Sequence, residues 1–266
     1  MGAARIIFLL ILLGLPGIAL SIWVLPNAAG PFIIGTLPAI TAVTHVGSRL
    51  GARLAAATAV VGFFAVLAQG DPWAGAALVG VTAGLAGRFA KRGLESPVLM
   101  VPVVAAYIVT EPSKFEVGRT LTQGSFTLAG VTALILLGGG LWAALLGEWL
   151  LKRLPKAARE ENPPELVGPY SWSLGIASGL ATVIAEIWAP GASAAWIVLT
   201  VILVIRPTRD EMRSKTRDRV LGTFGGGAIA AAVVIIAESV SAPGAIIVLL
   251  GMVTLAVALA LQPKVP

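Results

Sequence analysis

Ten apolar stretches run along this chain, separated by short polar clusters: residues 6–25, 31–46, 50–68, 73–90, 97–110, 125–150, 170–188, 192–205, 219–237 and 244–262. Stretches of this kind predict membrane helices, and a straight span needs about 20 residues. The runs 97–110 and 192–205 have only fourteen residues each. They are expected either to extend into their flanks or to be partial helices buried within the bundle. Pro31 and Pro38 in the second stretch, and Pro97 and Pro102 in the fifth, predict breaks or kinks there.

The polar clusters alternate in charge. With the N-terminus placed inside and each stretch crossing once, 17 of the 19 basic residues fall on the inner side. Only Lys114 and Arg119 fall outside. This asymmetry follows the positive-inside rule and predicts cytoplasmic N- and C-termini. Met1 to Ser21 also has the form of a signal peptide, but the apolar run continues through Trp23 to Leu25, and the alternation works with the segment retained. The long polar stretch, Lys152 to Pro169, carries four prolines and predicts a cytoplasmic linker. The expected organisation is a six-segment membrane half over 1–151, the linker over 152–169 and a four-segment half over 170–266.

Composition agrees with the pattern. Hydrophobic residues make up 57% of the chain and charged residues 12%, with a mean hydropathy of +0.93. A soluble domain carries roughly 25% charge. The net charge of +6 sits in short clusters between apolar runs, so membrane orientation accounts for it and no nucleic-acid partner is expected. There are no cysteines and one histidine, His45, which leaves no basis for a thiolate or histidine metal centre. No cofactor is expected. No phosphate-binding glycine–lysine loop or paired catalytic carboxylates appear, so neither an enzyme nor ATP-driven transport by this chain alone is expected.

The two halves echo one another. Ile22-Trp23 with Pro26 matches Ile187-Trp188 with Pro190, each pair closing a first segment ahead of a short second one. Trp23 to Arg53 is 30 residues and Trp188 to Arg219 is 31. The outer turns Gly70–Trp73 and Ser241–Gly244 then follow in parallel. An even number of segments separates equivalent points, so the halves share one orientation. The expected fold is an all-α polytopic helical membrane bundle of about ten segments in two unequal parallel repeats of six and four. Low-complexity Ala/Gly-rich helices resembling one another by composition alone is the competing explanation.

The densest signal lies at the second basic cluster. Six basic residues fall within Arg206–Arg219, and a glycine-dense apolar run follows. Arg206-Pro207 ends a short helix, a basic loop follows, and Arg219-Val-Leu-Gly222-Thr223-Phe-Gly-Gly226 opens the next helix. This motif, with the repeat, resembles the fusaric acid resistance protein-like superfamily, which includes bacterial aromatic acid exporters. The resemblance implies a transporter in the bacterial plasma membrane that exports or conducts small organic anions, aromatic or carboxylic. The chain departs from the larger members in lacking their long cytoplasmic domain and in stopping four segments into its second set. A passive anion channel, or a non-transporting scaffold of an envelope complex, are the alternatives.

Several residues are candidates for this work. Arg53 and Arg219 occupy equivalent places, at the expected N-termini of the third and ninth segments. A guanidinium fork beside a helix dipole suits a carboxylate; anchoring at the headgroups is the other reading. Arg206 and the Thr223 hydroxyl are expected to join them. Glu186 lies in an apolar run and is the candidate for proton coupling. Gly222 and Gly226, like Gly175 and Gly179, have the spacing of close helix packing. The bilayer and a small organic anion are the expected partners, and the small-residue faces predict a homo-oligomer.

Overall fold

A computed structural model describes residues 3–111, 125–151, 161–189 and 192–239. Among these there are nine α-helices and no strand. They are α1 (Ala3–Trp23), α2 (Ala29–His45), α3 (Ser48–Leu67), α4 (Pro72–Gly87), α5 (Glu95–Thr110), α6 (Phe126–Leu151), α7 (Pro164–Trp188), α8 (Ala192–Val204) and α9 (Arg209–Ser239). A 3-10 turn, Arg88–Arg92, follows α4. The tenth expected segment, 244–262, lies outside the described residues, as does the first half of the expected linker, 152–160. Ser48–Leu67, Pro72–Arg92 and Phe126–Leu150 are long and apolar enough to cross a membrane by length and composition.

Local chemistry sets the helix ends. Asp71 caps α4, its carboxylate accepting from the amides of Trp73 at 3.0 Å and Ala74 at 3.2 Å, with Pro72 at the first helical position. Asn27, at φ 68°, makes the left-handed corner between α1 and α2, and its amide donates to Ser21 Oγ. The expected breaks at proline do not occur. Pro31 and Pro97 sit in first turns, where a missing N–H costs nothing, and α2 and α5 continue through Pro38 and Pro102.

Two boundaries differ from the sequence reading. α7 begins at Pro164, so the end of the expected linker is helix: Pro164 and Glu165 make a favourable first turn. α9 begins at Arg209, so the expected basic loop is also helical.

The described residues fall into two compact units. One is Leu13–Met212; the other joins the start of α1 with α9 from Arg213. In the first unit, α6 packs along α2 and α3, and α7 packs along α4. α7 and α8, which the sequence assigns to the second half, thus lie against α4 and α5 of the first. α5 is the short helix at the centre, buried along nearly all its length from Pro97 to Thr110. It is a partial helix inside the bundle, the second of the two alternatives for run 97–110.

Glycines set the helix separations. A Cβ on Gly175 would lie 2.9 Å from the Gly80 carbonyl oxygen, and one on Gly179 would lie 3.1 Å from that of Ala76. α4 and α7 therefore touch backbone to backbone. Four hydroxyls in this interior are spent locally: Thr58, Thr110, Ser171 and Thr182 each donate to the carbonyl four residues back.

In the second unit, α9 is exposed from Arg213 to Gly225 except at Arg219, which is half-buried. A Cβ on Gly222 would meet no atom of the described residues within 4 Å. The packing expected of Gly222 is therefore not found there, because this stretch of α9 has no helix against it among the described residues. The side chains from residue 226 onward, including Gly226, lie outside the description.

Candidate functional site

The polar centre of the first unit is an ion pair that closes three helices together. Glu95 stands in the first turn of α5, where the helix dipole favours an anion. Arg206 follows the last turn of α8, where it favours a cation. Arg206 Nη1 donates to Glu95 Oε1 at 2.8 Å. Tyr170, on α7, donates its hydroxyl to the same oxygen at 2.5 Å. The Arg206 and Glu95 side chains are only 19% and 13% exposed, and Tyr170 is buried. Desolvation of two charges is offset here by their mutual attraction and by the tyrosine bond.

The cluster also fixes which helix ends meet. The starts of α5 and α7 and the end of α8 share one end of the bundle, and the Asn162 amide donates to the Ala90 carbonyl there as well. At the opposite end the Gln69 side chain donates to the Ile108 carbonyl at 2.8 Å. This grouping is the one that alternate crossing of successive segments requires.

Arg206 thus has Glu95 as a defined partner, and that partner was not singled out in the sequence. Glu95 lies 111 residues away in sequence. Its signal was an acid at the start of a short apolar helix, on the side expected to be rich in arginine. Replacing Tyr170 with phenylalanine removes one of the two bonds to Glu95. A hydrogen bond to a charged group contributes about 1.5–3 kcal/mol. We expect Tyr170→Phe to lower thermal stability in detergent by that order while leaving the helical content unchanged; an unaltered melting temperature would show that the bond contributes nothing.

The other candidates are placed differently from expectation. Arg53 is exposed and lies five residues past Ser48, the first residue of α3. Arg219 lies ten residues past Arg209, the first residue of α9. The free amides of a helix belong to its first four residues. Neither arginine therefore shares a helix N-terminus with a bound carboxylate, and that part of the expectation is corrected. Thr223 is exposed on α9. His45 is a polar cap at the end of α2, its Nδ1 2.8 Å from the Thr41 carbonyl oxygen.

Glu186 lies near the end of α7, facing the start of α4. A Cβ on Gly75 would lie 3.3 Å from its Oε1. That oxygen is buried and has no hydrogen-bond partner among the described residues. No group of three or more potential ligand side chains that could hold a metal occurs among the described residues.

No curated protein and no solved structure matches the chain. The family described as fusaric acid resistance protein-like matches residues 180–265, about a third of the chain. The matched span includes Arg206, the basic turns of α9 and the Gly222-Thr223 motif. The partial match and the three helices long and apolar enough to cross a membrane point to a membrane protein. Residues 180–265 are fusaric acid resistance protein-like in sequence, and the kinship inferred from Arg206 to Gly226 holds.

Proposed function

We propose that this chain moves small organic anions, aromatic or carboxylic, across the bacterial plasma membrane, with both termini on the cytoplasmic side. The observation that carries the proposal is the fusaric acid resistance protein-like match over the segment that holds Arg206. The Glu95–Arg206 pair supports it. A charged pair held among apolar helices is costly to keep and marks function more often than stability. Arg206 already holds one carboxylate, so it has the donor geometry that a substrate carboxylate needs. In this reading substrate exchanges with Glu95 on Arg206, while Arg53 and Arg219 attract anions to the inner surface and Thr223 offers a hydroxyl there. Glu186, with its unpartnered buried oxygen, carries the proton that couples flux to a gradient.

The test is flux of labelled phthalate into proteoliposomes, with and without a proton gradient. Phthalate is an aromatic dicarboxylate whose two charges stop it crossing lipid unaided. Gradient-stimulated flux is expected, and Glu186→Gln should abolish the stimulation while leaving a basal rate. Flux indifferent to the gradient in the unaltered protein would make it a passive channel. No flux of this or other carboxylates would leave the scaffold reading.

A further inference from the structure

The contact between α4 and α7 leaves a long groove on one side. Its volume is about 600 Å³. The floor is backbone at Gly80, Gly84, Gly175 and Gly179, and the walls are apolar side chains such as Val81 and Leu180. Trp73 closes one end, and Arg88 with Trp172 closes the other. The geometry points to a single anionic phospholipid bound here, one acyl chain in the groove and its phosphate on Arg88. This goes beyond transport and does not depend on it.

The shape and lining suit an acyl chain. From Trp73 to Arg88 the α4 axis runs roughly 22 Å at the usual helical rise. An acyl chain has no side groups and can lie directly on the glycine backbone between the apolar walls. The groove follows α4 from the outer turn at Trp73 to the basic turn at Arg88, and the acyl chain takes the half nearer Arg88, because one leaflet's hydrocarbon is about 15 Å deep.

Charge selects the headgroup. Arg88 lines the groove, and Lys91 and Arg92 follow it on the same turn, all three exposed. None of the three makes an ion pair with a described residue. Trp172, 70% exposed, stands beside them, as an interfacial tryptophan does. A zwitterionic lipid would present its own cation to this cluster; a phosphatidylglycerol presents a phosphate alone.

The full chain in detergent, titrated with dioleoyl phosphatidylglycerol or dioleoyl phosphatidylcholine and weighed by native mass spectrometry, tests this. One phosphatidylglycerol should be retained per chain, with about fivefold preference over phosphatidylcholine, the effect of roughly one cation near an anionic headgroup. Arg88→Gln should reduce the preference below twofold. Ala77→Phe, at an exposed groove position, should remove retention of both lipids, while Val60→Phe on exposed α3 surface should change nothing. Arg88→Gln lies outside the packed helix contact and tests the headgroup even if Ala77→Phe fails to fold. Equal retention of both lipids, or retention that survives Arg88→Gln and Ala77→Phe, would overturn the proposal. So would a species of twice the chain mass that Ala77→Phe dissociates.

Discussion

Replacing Gly139 with alanine is expected to destabilise the bundle more than any other single-methyl addition. A Cβ there would collide with the Phe32 carbonyl oxygen and come within 3.0 Å of its carbon. The obstacle is the backbone of α2, which cannot rotate away as a side chain can. Neighbouring glycines repeat the arrangement. A Cβ on Gly35 would lie 2.6 Å from the Leu136 carbonyl oxygen, and one on Gly140 would lie 2.5 Å from the Ala55 methyl. α2, α3 and α6 are therefore in contact through a surface where no atom can be added. Overpacking of a core costs about 1–3 kcal/mol, occasionally more. With backbone on the far side, we place Gly139→Ala at about 3 kcal/mol, a fall in melting temperature of roughly 6–12 °C for a chain of this size. Gly130 lies on the same helix, and a Cβ there meets nothing within 4 Å. Gly130→Ala should be neutral or stabilising, by up to about 1 kcal/mol from helix propensity. Thermal unfolding of both variants in one detergent is the measurement. Equal melting temperatures would mean that α2 and α6 are not held this closely.

The helices that face lipid or one another were legible because burial demands apolar residues along their whole length. α2, α3 and α6 begin and end within about two residues of the apolar runs that predict them. Where a helix leaves the apolar region, hydropathy stops reporting it. The start of α9 is one such place. Arg209 to Asp218 is polar and was expected to be a loop, yet Arg, Lys, Glu and Met are good helix formers. Its start was written in the sequence in a different form. Thr208-Arg-Asp-Glu211 has the spacing of a capping box, and Thr208 Oγ1 accepts from the Glu211 amide at 3.3 Å. Glycine spacing was likewise a partial guide. Gly175 and Gly179 pack as their spacing suggests, and Gly222 has the same spacing with open space beside it. Spacing identifies a flat face but not the helix that will lie on it. Glu95 shows the limit most clearly. Its place in the first turn of α5 can be read locally, but its pairing with Arg206 depends on α5, α7 and α8 converging at one end, which only the tertiary fold determines.

Arg206→Ala is expected to destabilise the fold by about 3–5 kcal/mol, the usual cost of stranding one partner of a buried pair. The Glu95 carboxylate, 13% exposed, would keep only the Tyr170 bond. Glu95→Gln should cost a comparable amount, since it strands the guanidinium. Removing both charges together removes the desolvation cost along with the attraction. Arg206→Met combined with Glu95→Leu should therefore recover most of the lost stability, because apolar replacement of a buried pair is often neutral or better. A double-mutant cycle on melting temperature reads the coupling directly. Additive losses would mean that the two side chains do not act as a pair. The same double variant separates structure from transport. A chain that regains its stability and still moves phthalate has used Arg206 only to join α5 to α8. A chain that regains its stability and has lost flux has used the charged pair for transport, because the packing contribution has been restored and only the guanidinium and the carboxylate are missing.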